Sequence, residues 1–318
     1  MALIQLKDVS KIYRNTTVLD GVNLSIEDGD ILGVIGQSGS GKTTLLNLIT
    51  GFVEPSEGQA VYFSVTQEER NLNQNLHRIK RHIGFTPQHN SFYPKLTVKE
   101  NLWHFGRLYG LNKDMLAVNI RNLLNFTRLI DHEDKLSEEL SGGMQKRLDI
   151  SCSLVHKPKI LVLDEPTADL DPILQKEILH MLQEVNRQGV TIVIASHQLD
   201  CIESICNKVV IVNKGRIKLN GLLDDLRRPY VKDHFTIRVQ TDTEKEGLIE
   251  KIKTLSIKKI IDKGKTLIVY PKNIEKTTQE LLGVIKDYNL ALNDMHLKKM
   301  SLSELFEKIV KEDEEFNK

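Results

Sequence analysis

The run Gly36-Gln37-Ser38-Gly39-Ser40-Gly41-Lys42-Thr43 fits the pattern G-x-x-x-x-G-K-[ST]. Each residue type answers a need of a bound phosphate. Glycines let the backbone wrap so that several N–H groups face one anion. A helix beginning near Lys42 adds its positive dipole end. The Lys42 ammonium reaches the β- and γ-phosphates of a nucleoside triphosphate, and the Thr43 hydroxyl suits Mg²⁺. A ligand-free Gly-rich turn is the plain alternative, but here an apolar run precedes the loop and a helical pattern follows it, as a phosphate loop requires. A second chemical signal lies at Ile160–Asp164, four apolar residues ending in an acid and followed by Glu165. An Asp at the carboxyl end of a buried parallel strand sits at the ligand crevice. Asp164 is therefore expected on the Mg²⁺ side, and Glu165 is the candidate to polarise an attacking water. A third signal is Leu140-Ser141-Gly142-Gly143-Met144. Ser-Gly-Gly before a helix offers a hydroxyl and free N–H groups to an anion. Either it is an ordinary N-cap or it serves the nucleotide of a second molecule, since the chain already has its own phosphate loop.

These residues need rigid carriers. Ile31–Ile35 reads as a buried strand, followed by the helix KTTLLNLIT. Lys159–Asp164 and Val190–Ala195 read as two more buried strands. Between them Pro172–Arg187 has Pro at a helical start and Gly189 just past its end. Strands separated by helices predict a parallel sheet. Leu3–Val9, Val22–Ile26 and Ala60–Phe63 read as a separate antiparallel piece, and 97–156 as mostly helical. The style changes near Arg227-Arg228-Pro229. Beyond it FTIRVQ, EKEGLIEKIKTL, IKKIID, TLIVYP, IEKTTQELLGVIKDY and MHLKKM read as β-α-β-β-α-β, the ferredoxin-like order, before a last helix SLSELFEKIVKE. Lys263-Gly264-Lys265 supplies the turn between the middle strands.

The length, 318 residues, suits about two domains. With 40% hydrophobic and 27% charged residues the composition is globular, which excludes collagen-like and largely disordered chains. Three cysteines are too few for a disulfide-stapled module and lack zinc-site spacing. A net charge of +1, balanced in both halves, excludes a general nucleic-acid binder. No apolar run is long enough for a membrane span, and the N-terminus does not read as a secretory signal. The expected protein is soluble when isolated, with any membrane role supplied by a partner.

Taken in order, QSGSGKTT (residues 37–44, ending in Thr44), Gln88 in FTPQ, LSGGM, ILVLDEPT, ADLD and His197 in ASHQ resemble the ATP-binding subunits of ABC transporters over residues 1–225. The resemblance implies an α/β fold: a P-loop NTPase of the ABC ATPase kind with an antiparallel β subdomain and a helical subdomain at about 90–156. With the change of style near Arg227-Arg228-Pro229, the nucleotide-binding domain is expected at 1–228 and a small α+β ferredoxin-like accessory domain, read from its own element order, at 229–318. The cofactors implied are ATP and Mg²⁺, and the partners are a membrane subunit and a second ATPase subunit, in a homodimer or heterodimer. Location at the cytoplasmic face of the membrane follows, with no nucleic acid. By resemblance Gln88 senses Mg²⁺ and the γ-phosphate, His197 holds the γ-phosphate, Asp171 contacts the other protomer and Tyr13 stacks on adenine. Two copies would sandwich ATP between the phosphate loop of one and Ser141–Gly143 of the other. LSGGM with its basic pair, ENLWHFGRLYGL at 100–111 and MSLSELFEKIV at 300–310 resemble the ABC-2 type export subfamily, although QSGSG stands where PNGAG is commoner there. The alternative is a soluble ABC ATPase of cluster assembly, translation or repair. In the resembled family the segment after Gln88 lines a groove for the membrane subunit. Phe92 and Tyr93 then read either as exposed anchors or as aromatics folded back onto the helix Val98–Leu108.

Overall fold

Apolar residues alternate with polar ones along Ala2–Tyr13 (β1) and Thr16–Glu27 (β2), so each strand has one face to bury. The two pair antiparallel, and Glu57–Phe63 (β4) and Glu69–Asn71 (β5) complete a sheet of order β2-β1-β4-β5. The computed structural model describes residues 1–63, 69–71, 79–227, 234–238, 242–287, 295–298 and 301–316. Both strands of the hairpin run beyond the apolar stretches that announce them, because backbone pairing continues past the last buried side chain.

Ile31–Ile35 (β3), Ile160–Asp164 (β7) and Thr191–Ala195 (β8) are buried at every position. Strands covered on both faces belong in a parallel sheet. With Ile83–Thr86 (β6), Lys208–Asn213 (β9) and Arg216–Leu222 (β10) they form the order β10-β9-β3-β8-β7-β6. All pairs are parallel except β10 with β9. The helix Lys42–Ile49 (α1) buries Leu45, Leu46, Leu48 and Ile49 in the core shared with both sheets. Each such side chain contributes about 1.5–3 kcal/mol relative to exposure. The position of α1 behind the phosphate loop is thus fixed by apolar burial.

Val98–Leu108 (α2), Lys113–Phe126 (α3) and Gly142–Leu154 (α4) build the helical part. Thr97 and Glu100 close a capping box that starts α2. The core here joins Leu102, Leu116, Leu124, Leu148 and Phe92. Phe92 is therefore a core residue, and of the two adjacent aromatics only Tyr93 is exposed, at 49%. The reading of both as surface anchors is corrected: Leu102 and its neighbours leave an apolar space that the side chain before Tyr93 fills. Pro172–Arg187 (α5) and Leu199–Ile205 (α6) cover the parallel sheet, and Leu223–Arg227 (α7) follows β10.

Two compact units result: Met1–Leu223 together with Ile309–Lys318, and Asp224–Lys308. In the second, His234–Arg238 (β11), Asp242–Lys253 (α8), Ile257–Asp262 (β12), Thr266–Pro271 (β13), Ile274–Asp287 (α9) and Met295–Lys298 (β14) follow the β-α-β-β-α-β order. The strands lie β12-β13-β11-β14, all antiparallel. Gly264 turns the β12–β13 hairpin with φ 72°, and its N–H donates to Asp262 Oδ1 at 2.9 Å. Phe235, Leu248, Ile252, Leu267 and Leu281 form the unit's own core. Leu302–Phe316 (α10) ends the described chain. Arg228 and Pro229, the last two residues of FTIRVQ, Tyr288 and the end of MHLKKM lie outside the described residues. No described helix is long and apolar enough to cross a membrane.

Candidate functional site

The loops that follow β3, β7 and β8 all leave the carboxyl edge of the parallel sheet, where open α/β sheets bind ligands. They surround a cavity of about 630 Å³ lined by Ser38, Gly39, Gly41, Lys42, Thr43, Thr44, Gln88, Asp164, Glu165 and His197, together with Val18. The first ten are residues singled out by the sequence motifs. Gly36, Gln37 and Ser40 complete the loop without lining the cavity.

The loop's shape depends on its glycines. Gly41 has φ 106° and Gly39 φ 77°, conformations that side chains rarely adopt. At Gly36 a Cβ would collide with the Val212 carbonyl and Ser40 Oγ. Lys42 Nζ donates to the carbonyls of Gly36 at 2.9 Å and Gln37 at 3.1 Å, so the loop is closed over its own cation. Burial lowers the Lys42 pKa, while the charges of Glu165 and Asp164 act against that shift.

Thr43 Oγ1 donates to Asp164 Oδ2 at 3.0 Å. Burial pushes the Asp164 carboxyl up; the Thr43 bond opposes this, Glu165 adds to it and Lys42 opposes it. Lys42 and Asp164 both carry a desolvation cost that an incoming counter-charge would relieve: phosphate for Lys42, a cation for Asp164. Hydroxyl, carboxylate and the Gln88 amide are hard oxygen donors of the kind Mg²⁺ takes alongside phosphate and water. The residues present therefore fit the ion. Among the described residues no cluster of three His, Cys, Asp or Glu makes an all-protein metal cage.

Glu165 is buried and sits at φ 49°, an unusual backbone state for a side chain that must be aimed. Its N–H donates to the Ala195 carbonyl at 2.8 Å, tying it to the end of β8. Its Oε1 accepts from the His197 N–H at 3.0 Å and faces His197 Nδ1 at 2.8 Å. Oε2 accepts from Ser196 Oγ at 2.9 Å, and Ser196 Oγ accepts in turn from the Gln198 N–H at 3.0 Å. The His197 side chain is 65% exposed at the mouth. Ser196, which the motif reading passed over, was signalled only by its place between a buried strand and His197. The constellation suits phosphoryl transfer to water: a cation for phosphate, oxygens for a metal, and a fixed carboxylate beside them.

The remaining predicted residues stand outside this cavity. Tyr13 ends β1 as an exposed residue, with the Lys11 ammonium 5.0 Å from its ring centroid. Ser141 caps α4, its Oγ accepting from the Met144 N–H at 3.4 Å. Gly142 faces open space, whereas a Cβ on Gly143 would press on Leu174 at 2.8 Å. Asp171 caps α5, Oδ1 accepting from the Ile173 and Leu174 N–H groups at 2.9 and 3.0 Å.

The chain is similar to known proteins. The family described as ABC transporter matches residues 19–168. The linearmycin resistance ATP-binding protein LnrL of Bacillus subtilis is 30% identical over 70% of this chain and 70% of its own. Nod factor export ATP-binding protein I of Cupriavidus metallidurans is 32% identical over 68% and 69%. The methionine import ATP-binding protein MetN of Clostridium acetobutylicum is 34% identical over 70% of each chain. Among solved structures, the dimeric post-hydrolysis state of the ATP-binding cassette MJ0796 bound to ADP and Pi superposes with a TM-score of 0.61. It is 27% identical, over 70% of this chain and 99% of that one. A phosphate loop, a strand-end carboxylate pair and a histidine around one cavity, in a chain at least 30% identical to such subunits over two thirds of their length, identify an ATPase: the chain belongs to the ABC transporter family, as an ATP-binding subunit.

Proposed function

We propose that the protein powers an exporter of the ABC-2 type, through ATP-driven closure of a dimer coupled to a separate membrane subunit. The single observation that carries the reading is the split of the anion-binding motifs. The phosphate loop, Asp164, Glu165, Gln88 and His197 share one cavity, while the exposed Ser141–Gly142 end of α4 is outside it. An unused anion site on the same chain calls for the nucleotide of a second copy. A similar cassette solved as a dimer with ADP and Pi supports this.

In this reading Lys42 and the loop N–H groups hold the phosphates, and Glu165 takes the proton of the attacking water. Ser196 and the His197 N–H fix that carboxylate, and the His197 ring faces the γ-phosphate. Thr43, Asp164 and Gln88 would hold Mg²⁺, which when bound neutralises charge on the β- and γ-phosphates. Tyr13 stacks on adenine, and Asp171 meets the partner protomer while capping its own helix. The export direction rests on the segments 100–111 and 300–310; similar proteins are named for import as well as export. The first unit, Met1–Leu223 with Ile309–Lys318, acts as the ATPase domain and Asp224–Lys308, most of the expected 229–318 segment, as an accessory domain, at the cytoplasmic face of the membrane.

Glu165→Gln tests the core of the proposal. It keeps the shape and one accepting oxygen but removes the charge that accepts the proton. Turnover should fall at least a hundredfold while ATP still binds, and size-exclusion with ATP and Mg²⁺ should shift monomer to dimer. Parental hydrolysis by this variant would remove Glu165 as the base.

A further inference from the structure

One face of α4 carries polar side chains at Gln145, Lys146, Asp149 and Ser153, most of them buried. Such groups cost free energy inside a protein unless each is paired. All four find partners on the segment 85–91. Ser153 Oγ donates to the Phe85 carbonyl at 2.8 Å and accepts from Thr86 Oγ1 at 2.9 Å. Lys146 Nζ lies 3.5 Å from the Gln88 carbonyl oxygen and 3.9 Å from Asp149 Oδ2. Asn90 Nδ2 meets Gln145 Oε1 at 3.4 Å. The tightest link is at Asp149, which is fully buried. Its Oδ1 accepts both the Ser91 N–H at 2.9 Å and the Ser91 hydroxyl at 2.6 Å.

We propose that Asp149 is a positioning residue for ATP hydrolysis: through Ser91 its carboxylate holds the Gln88 loop against the helix that begins at Ser141–Gly143. The Gln88 side chain lines the phosphate cavity, yet it stands on an exposed loop three residues from Ser91. Ser91 is where that loop is pinned after leaving β6. The same helix presents its N-terminus to the second copy, so the pin makes the loop and the helix one moving part. The inference rests on the reading of Gln88 as a γ-phosphate group. A reacting group displaced by about 1 Å loses rate on the order of 100-fold, whereas the phosphate loop, carried by β3 and α1, keeps its hold on the nucleotide.

The test uses the full chain and four variants, with ATP turnover, affinity for a fluorescent ATP analogue, and melting midpoint as readouts. Lys146→Met with Asp149→Leu removes the buried pair and the acceptor together. Exchange of a buried ion pair for apolar groups is often neutral or stabilising, so the double variant should stay folded. Its kcat should fall about tenfold or more with nucleotide affinity within twofold of the parent. Asp149→Asn, made in the Lys146→Met background so that no buried ammonium is left unpaired, keeps an oxygen that accepts both Ser91 bonds and should retain most of the activity. Should the double variant not fold, Ser91→Ala removes the hydroxyl bond alone and should lower kcat about threefold at unchanged affinity. A folded double variant with parental kcat, or an Asn variant as slow as the double variant, overturns the proposal; so does parental kcat in Ser91→Ala. Gln88→Ala separates the two readings: if it hydrolyses like the parent, the role of Gln88 falls and the inference with it. If it is slow while the double variant is not, only the inference fails.

Discussion

Acidification should destabilise the first unit through His156. This residue follows α4 and is buried, with its ring stacked on Tyr109 at a centroid distance of 3.5 Å and an angle of 6°. Nε2 meets the Ile83 carbonyl at 3.3 Å, while Nδ1 is buried without a hydrogen-bond partner among the described residues. Burial therefore holds its pKa down to about 4 from 6.5; the Ile83 bond acts against the shift and His82 adds to it. Between those values the unfolded chain binds a proton that the folded chain refuses. Stability from this group is thus fully present above about pH 6.5 and is lost as the pH falls toward 4. The loss works out at about 2 kcal/mol by pH 5 and about 3 kcal/mol by pH 4. Burial also pushes Asp149 and Asp164 up, and raised carboxylates contribute in the opposite sense, gaining stability as the pH falls. Comparison with His156→Phe cancels them. Phe keeps a ring opposite Tyr109 but leaves the Ile83 carbonyl without its donor, at about 1–3 kcal/mol at pH 7.5. Its urea midpoint should lack the acid limb, so the two stability curves converge near pH 5 and the variant can exceed the parent below it. Trp103, the chain's single tryptophan, packs against the same helical core and reports its unfolding. Equal pH slopes for parent and variant between pH 7 and 4.5 would refute the reasoning.

Ser196→Ala removes the donor to Glu165 Oε2 and the acceptor of the Gln198 N–H. A hydrogen bond to a charged group is worth about 1.5–3 kcal/mol, so kcat should fall about 10- to 100-fold with KM for ATP little changed. An effect confined to the melting midpoint would make Ser196 structural only. On the helical part, Tyr93 packs its ring on His104 at 4.8 Å beside a groove lined by Leu96, Trp103, Arg107 and Leu108. Tyr93→Ala should leave ATP hydrolysis in solution within twofold and abolish co-sedimentation with membranes holding the partner subunit. Persistent recruitment would place the docking surface elsewhere. Phe92 cannot be used for this test, because truncating a core phenylalanine costs about 3–5 kcal/mol.

Where chemistry depends on neighbours in sequence, the residues announce it. The glycines around Lys42, the apolar run ending at Asp164 and the Ser-Gly-Gly before α4 are local patterns, since a turn, a strand end and a helix cap each span only a few residues. The same holds for the β-α-β-β-α-β order of the second unit, set by apolar period and by the turn at Gly264. Strands β6 and β10 carry weaker local signals: β6 has four residues, and β10 is an edge strand without a buried side chain. Only the folded chain decided which side chains meet. Phe92 and Tyr93 are equivalent in sequence, yet one fills the space above Leu102 and the other faces solvent. Asp149 reads as one more charge on a helix until Ser91, 58 positions away, delivers two donors to it. His156 and Tyr109 become a stacked pair only when α2 and the end of α4 are brought together. The physical reason is that local order follows from backbone preference and apolar period, whereas a buried polar group is stable only with a partner that packing brings from far along the chain.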